Sequence, residues 1–162
     1  MFKQIPGLPE VYGDGRGLLM CADASQPVPE LAPYRGAVQA VYIDPPFMTG
    51  DKFTRKRRFG EKGWRTGSPA PDYPGYSDRF ASREEYLTAL KAILTAGRDL
   101  LSPTGVLMLH MDWHSVHHAR LLCDEVFGED RFVNEIIWAY ESGGRAKKFY
   151  SRKHDNILMY SR

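Results

Sequence analysis

Cysteine is scarce in this chain: Cys21 and Cys123 are the only two among 162 residues. Two thiols in apolar contexts exclude a disulfide framework and read as reduced core residues. Long apolar runs are missing too. No stretch approaches the roughly 20 residues that span a bilayer, and Met1-Phe2-Lys3-Gln4-Ile5-Pro6 does not resemble a secretion signal; a cytoplasmic protein with no membrane partner is expected. Neither Cys-x-x-Cys nor His-Glu-x-x-His occurs, so His114, His117 and His118, which share a helix face near Asp112, are not read as a metal site. No nucleophile elbow is present. Gly13, Gly15 and Gly17 precede a strand instead of following one, so the dinucleotide fingerprint lacks its context. There is no internal repeat and no low-complexity tract.

Charge of one sign is not in excess either, at 22 Lys and Arg against 20 Asp and Glu, a net +2. Its distribution says more. Lys52, Arg55, Lys56, Arg57, Arg58, Lys62 and Arg65 crowd one segment, and Arg145, Lys147, Lys148, Arg152 and Lys153 form a second cluster. Such loops either follow a phosphate backbone or are simply solvated.

Hydrophobic periodicity divides the chain into a Pro- and Gly-rich arm over 1–16 and one domain over 17–162. Short strands are expected over 17–22, ending at Asp23, and over 37–43. Residues 24–36 read as a loop or short helix. Residues 48–82 show no clean period and read as a long basic, aromatic loop whose rings either stack on bases or pack on one another. Ser82 with Glu85 forms a capping box opening a helix, with Tyr86, Leu87, Leu90, Ile93, Leu94, Gly97 and Leu101 at helical spacing; Ser102-Pro103-Thr104-Gly105 ends it. A buried strand over 106–111 follows, then Asp112, a helix from about Ser115 to Phe127 stopped by Gly128, and an antiparallel pair over 132–140 and 156–160. Trp138 and Tyr140 read as core and edge residues, whereas Trp113 either packs on the sheet or flanks a pocket. The pattern implies an α/β sheet, mostly parallel, with an antiparallel edge pair.

The most informative residues are Asp44-Pro45-Pro46-Phe47. The preceding apolar run reads as a buried strand. Two prolines lack the N–H groups to continue its ladder, so the strand stops at Asp44. A carboxylate and an aromatic ring are then left together at the strand's carboxyl end, the edge where open α/β sheets bind ligands. That pair suits a flat, amino-bearing ligand such as a nucleobase. An exocyclic amine is a poor nucleophile, and a carboxylate hydrogen-bonded to its N–H supports both pyramidalisation and proton loss.

Tyr42-Ile43-Asp44-Pro45-Pro46-Phe47-Met48-Thr49-Gly50 resembles the catalytic motif of amino-directed DNA methyltransferases of the adenine-N6/cytosine-N4 family. The resemblance covers most of 17–162, through Leu18 to Asp23, Asp78-Arg79-Phe80, His110-Met111-Asp112-Trp113, Asp124 to Gly128, Asn134 to Tyr140, Ser142-Gly143-Gly144 and Arg152-Lys153-His154-Asp155. It is closest to the β arrangement, which includes modification subunits of restriction systems.

The resemblance implies a Rossmann-like methyltransferase sheet, S-adenosylmethionine as donor and no metal. The substrate is double-stranded DNA with an extruded base. Asp44 would accept from the target amine, Pro45 and Pro46 would constrain the neighbouring carbonyl, and Phe47 would stack on the base. Asp23 and Asp112 would line the cofactor or target pocket. Arg55, Lys56, Arg57, Arg58, Arg145, Lys147, Lys148, Arg152 and Lys153 would face DNA. Asp in the first motif position is typical of adenine-N6 members; cytosine-N4 methylation and a non-catalytic DNA-binding fragment are the alternatives. Two departures stand out. The family usually has Asn where this chain has Met48, and its Phe-x-Gly-x-Gly cofactor strand has no match. The fold is therefore expected to be incomplete, lacking the cofactor-binding half: a fragment, one of two partners, or a degraded gene. Residues 1–162 alone are expected to bind the cofactor weakly or not at all and not to methylate. A restriction subunit, the missing C-terminal half and a second copy are the protein partners it leaves open.

Overall fold

The computed structural model describes residues 3–4, 11–14, 16–49, 52–56, 72–141 and 147–162, with 52–56 and 72–77 described by backbone alone. Strands β1 (Lys3–Gln4), β2 (Val11–Gly13) and β3 (Leu18–Met20) form a small antiparallel sheet. A 3-10 segment (Pro29–Tyr34) leads to β4 (Val38–Ile43). Next come β5 (Lys52–Lys56), β6 (Asp72–Ser77), α1 (Arg83–Leu100), β7 (Leu101–Asp112), α2 (Val116–Phe127), β8 (Phe132–Ala139) and β9 (His154–Ser161).

The main sheet has the order β4-β7-β9-β8. Strands β4, β7 and β8 point the same way, β4 and β7 being paired directly; β9 is antiparallel to both of its neighbours. The expected antiparallel pair of β8 and β9 is present, and among the described residues the sheet is mixed, since β9 pairs antiparallel with β7 as well. The reason lies in the connections: helices cross over from β4 to β7 and from β7 to β8, whereas β9 returns directly after β8 and lies between β7 and β8. The strand ending at Asp23 does not join this sheet, because β3 pairs with β2. Residues 52–56 and 72–77, expected to lack regular structure, pair as an antiparallel ladder from Lys52↔Ser77 to Lys56↔Asp72. Pro and Gly inside 72–77 had hidden the strand's period.

Helix α1 begins as its capping box dictates. The Ser82 hydroxyl accepts from the Glu85 N–H at 3.2 Å, and the Glu85 carboxylate accepts from the Ala81 N–H at 2.6 Å. Its face Tyr86, Leu90, Leu94 and Gly97 is buried. A methyl at Gly97 would stand 3.3 Å from Leu107 Cδ1 and 3.4 Å from Ile43 Cδ1, so glycine lets the helix lie close on β4 and β7. The helix stops at Leu100, and β7 starts at once. Ser102 to Gly105 therefore belong to the strand, not to a separating turn. They bulge out, because Val38 pairs with Leu101 while Ala40 already pairs with Val106. Pro103 has no N–H for the ladder, which favours a bulge there.

Both helices cover one face of the sheet. Leu107, Leu109 and Met111 of β7 and Leu158 and Tyr160 of β9 meet Leu90, Leu94, Ala119, Cys123 and Val126. Each large apolar side chain fully buried here contributes roughly 1.5–3 kcal/mol. The opposite face, with Tyr42, His110, Asp155 and Trp138, carries no helix among the described residues. This corrects the expectation of a buried strand over 37–43: β4 is the sheet's edge, and Tyr42 is 51% exposed.

The cysteines also divide. Cys123 is fully buried on α2, and burial pushes its thiol up to about 12. Cys21 is exposed, contrary to its expected core position, because it lies just past β3 of the small sheet. Iodoacetamide at neutral pH should therefore modify Cys21 in the native protein and reach Cys123 only after denaturation, read by intact-mass spectrometry.

Candidate active site

The strand β4 ends where the prolines require it, and the Asp44 side chain is 61% exposed. The turn beyond is held from a distance. Asp78, 2% exposed, accepts from the Met48 N–H at 2.7 Å, the Thr49 N–H at 2.8 Å and the Thr49 hydroxyl at 2.6 Å. The Ser115 hydroxyl, just before α2, lies 3.3 Å from the Phe47 carbonyl oxygen and 3.2 Å from Asp112 Oδ1, and donates to one of them at a time. Phe47 is half-buried and packs against the core.

Met48 adopts φ +61°. That left-handed conformation costs a non-glycine residue about 1–2 kcal/mol, and asparagine tolerates it best. The departure from the family's usual Asn thus falls where the backbone itself favours Asn. Met48 repays part of the strain by packing against the core. Met48→Asn should stay within about 1 kcal/mol of wild type, because strain relief offsets lost packing. Met48→Ile should cost about 2 kcal/mol, since β-branching is least compatible with positive φ. Urea denaturation ranks the two.

Asp44 does not stand alone. Its Oδ1 lies 3.5 Å from Nδ1 of His110, whose Nε2 lies 3.4 Å from Oδ2 of Asp155. Registry explains the grouping: Ile43 pairs with Leu109, which places Asp44 beside His110, and Asp112 pairs with Asp155 on β9. Rings enclose the imidazole. Phe47 meets it edge-on at 5.7 Å, Tyr42 at 6.2 Å, and Trp138 stacks on it at 5.8 Å. Burial, then the Asp44 and Asp155 charges, raise the Tyr42 phenol above its ordinary range. Burial raises that of Tyr140, with Asp155 and Asp112 adding to it. Trp138 is 55% exposed, not a core residue, since it projects from the uncovered face.

The second basic cluster lies beside this edge. Lys147, Lys148 and Arg152 are exposed, and Arg145 lies outside the described residues. The Arg152 guanidinium sits 3.9 Å over the Trp113 ring, which stacks on His114 at 4.4 Å; Trp113 thus flanks the loop instead of the core. Phe149 and Tyr150 are 61% and 98% exposed. Lys153 secures the loop's neck. Its ammonium donates to the Glu141 carbonyl at 3.0 Å, and its own carbonyl accepts from the Tyr140 N–H at 3.0 Å. Of the first cluster, Arg57 and Arg58 lie outside the described residues, and Arg55 and Lys56 are placed on β5 by backbone alone.

Asp23 and Asp112 each hold a local turn. Asp23 closes a local turn, accepting from the Ser25 N–H at 2.9 Å and hydroxyl at 2.7 Å, which lowers its carboxyl from the ordinary value. Asp112 accepts from the His114 N–H at 3.0 Å and the Ser115 N–H at 3.3 Å, at the start of α2. Each carboxylate therefore fixes the backbone just past the end of its strand. Among the described residues no three His, Cys, Asp or Glu side chains converge as metal ligands. Asp78, His110 and Asp155 stand within the motifs of the resemblance, which implies no role for any of them. Their partners lie far off in the chain, and no local spacing signals them.

A mixed sheet on two helices, with an exposed carboxylate at one strand's end among packed rings, defines an α/β protein whose polar groups gather at a single sheet edge. Residues 38–162 match the model of the N6/N4 methyltransferases, described as DNA methylase, and the chain belongs to that family. It is 26% identical over 122 residues to the type II methyltransferase M.KpnI of Klebsiella pneumoniae, covering 75% of this chain and 26% of that protein. It is 29% identical over 147 residues to the StyLTI Mod subunit, a type III restriction-modification enzyme of Salmonella typhimurium, covering 78% and 20%. With the type II methyltransferase M.EcaI of Enterobacter cloacae it shares 27% identity over 123 residues, covering 75% and 24%. The chain thus spans 20–26% of the length of these type II and type III relatives.

Proposed function

We propose that this chain supplies the acceptor side of a DNA methyltransferase that transfers a methyl group from S-adenosylmethionine to adenine N6. The observation that carries the proposal is Asp44: an exposed carboxylate fixed at the end of β4, beside the Phe47 ring, on a turn whose N–H groups are tied to Asp78. In this reading Asp44 accepts from the N6 amine of an extruded adenine, which raises the nitrogen's nucleophilicity and receives its proton. Phe47 supplies an aromatic surface for the base. Lys147, Lys148 and Arg152 contact phosphates, and the exposed rings of Phe149 and Tyr150 add stacking area of the kind that holds unpaired bases.

S-adenosylmethionine supplies the methyl group; the roles proposed for this chain's residues concern the base, its amine and its proton. Relatives named as Mod subunits of type III systems favour a restriction subunit as partner, and a second copy is a further candidate. The test is incubation of the full-length protein with S-adenosylmethionine and DNA, followed by nucleoside mass spectrometry. N6-methyladenine is expected, and N4-methylcytosine or no methylated base would overturn the assignment.

A further inference from the structure

Resting on that reading, we propose that His110 is a positioning residue that holds Asp44 toward the amine and carries the amine's proton from Asp44 to Asp155. Three observations converge. The imidazole is a bridge between two carboxylates on two different strands, 3.5 Å from Asp44 and 3.4 Å from Asp155. Its Nε2 is fully buried and lacks an aligned hydrogen bond, although Asp155 is within reach. A buried polar atom of this kind costs stability unless it has a use. Finally, rings on three sides fix the imidazole's orientation, leaving its two nitrogens directed at the carboxylates.

The charged and titratable groups around His110 are Asp44 and Tyr42 from β4 and its end, Asp112 from β7, Asp155 from β9 and Tyr140 after β8. All are acidic groups; no cation among the described residues is paired with Asp44. The imidazole therefore has a carboxylate within reach of each of its nitrogens.

The proton balance is as follows. Once the amine nitrogen has formed its new bond to carbon, it carries one proton too many. That proton passes to Asp44 Oδ1 and then to Nδ1 of neutral His110, which becomes imidazolium between two carboxylates. The proton on Nε2 leaves to Asp155, whose side chain is 23% exposed, and from there to water. Asp44 returns to its carboxylate form, and water exchange restores the starting tautomer.

Two experiments decide the proposal. In the first, nitrogen-15 spectra of histidine-labelled protein report the two His110 nitrogens separately. Asp44→Asn should move chiefly Nδ1 and Asp155→Asn chiefly Nε2; a His110 signal indifferent to both substitutions overturns the bridge. In the second, steady-state methylation by the full-length protein is measured. His110→Asn should lower kcat about 100-fold with the KM for DNA unchanged, Asp155→Asn should lower it about tenfold, and imidazole in the buffer should restore part of the His110→Ala rate. Wild-type kcat in folded His110→Asn, or a loss confined to KM, overturns the relay while leaving the functional reading intact. A wild-type protein that methylates no DNA overturns both.

Discussion

Asp44→Ala will lower the methylation rate of the full-length protein by about a thousandfold and leave its unfolding free energy within about 0.5 kcal/mol of wild type. The separation follows from placement. Asp44 is 61% exposed and makes one long contact, to His110, and exposed pairs contribute about 0–1 kcal/mol. Its removal takes one long contact from the imidazole, whose side chain is 12% exposed. The kinetic effect is large because the amine then lacks both an acceptor for its N–H and a destination for its proton. Asp44→Asn keeps an accepting oxygen but cannot take the proton, so it should fall less, by about a hundredfold. Initial rates with tritiated S-adenosylmethionine, paired with thermal melts, make the comparison. A folded Asp44→Ala protein methylating at the wild-type rate would remove the carboxylate from the mechanism.

Asp78→Ala should do the reverse and strike stability first, costing about 4 kcal/mol. This carboxylate is buried and accepts three hydrogen bonds, two of them from consecutive backbone N–H groups. Deleting it orphans both N–H groups where Met48 already holds a left-handed φ. Asp78→Asn retains one good acceptor and should cost about half as much. Urea denaturation gives the magnitudes, and hydrogen exchange at the Met48 and Thr49 amides should accelerate in both variants. Unchanged exchange in Asp78→Asn would mean that the turn is held by the prolines alone.

Much of this arrangement could be read from the residues. The stop at Asp44 follows from proline chemistry, the start of α1 from Ser82 and Glu85, and the end of α2 from Gly128, which takes φ +104°. Each is a local rule acting within a few residues. What escaped was non-local. Parallel against antiparallel pairing of β9 depends on how the chain returns, and no side-chain pattern within β9 records that. Residues 72–77 hid their strand because Pro74 and Gly75 interrupt the alternation that signals one. Trp138 resembled a core residue on hydrophobicity alone, yet its exposure depends on which sheet face the helices cover. The bridge from Asp44 through His110 to Asp155 joins three strands and becomes visible only in the register between them.

The bonds from Asp78 to Met48 and Thr49 span 30 and 29 positions of chain. Everything between those anchors is therefore clasped at its base, like a cassette plugged into a socket. Closing a longer flexible loop costs only about 0.6 kcal/mol for each doubling of its length. A change of length between the anchors is therefore expected to cost the turn that bears Asp44 little.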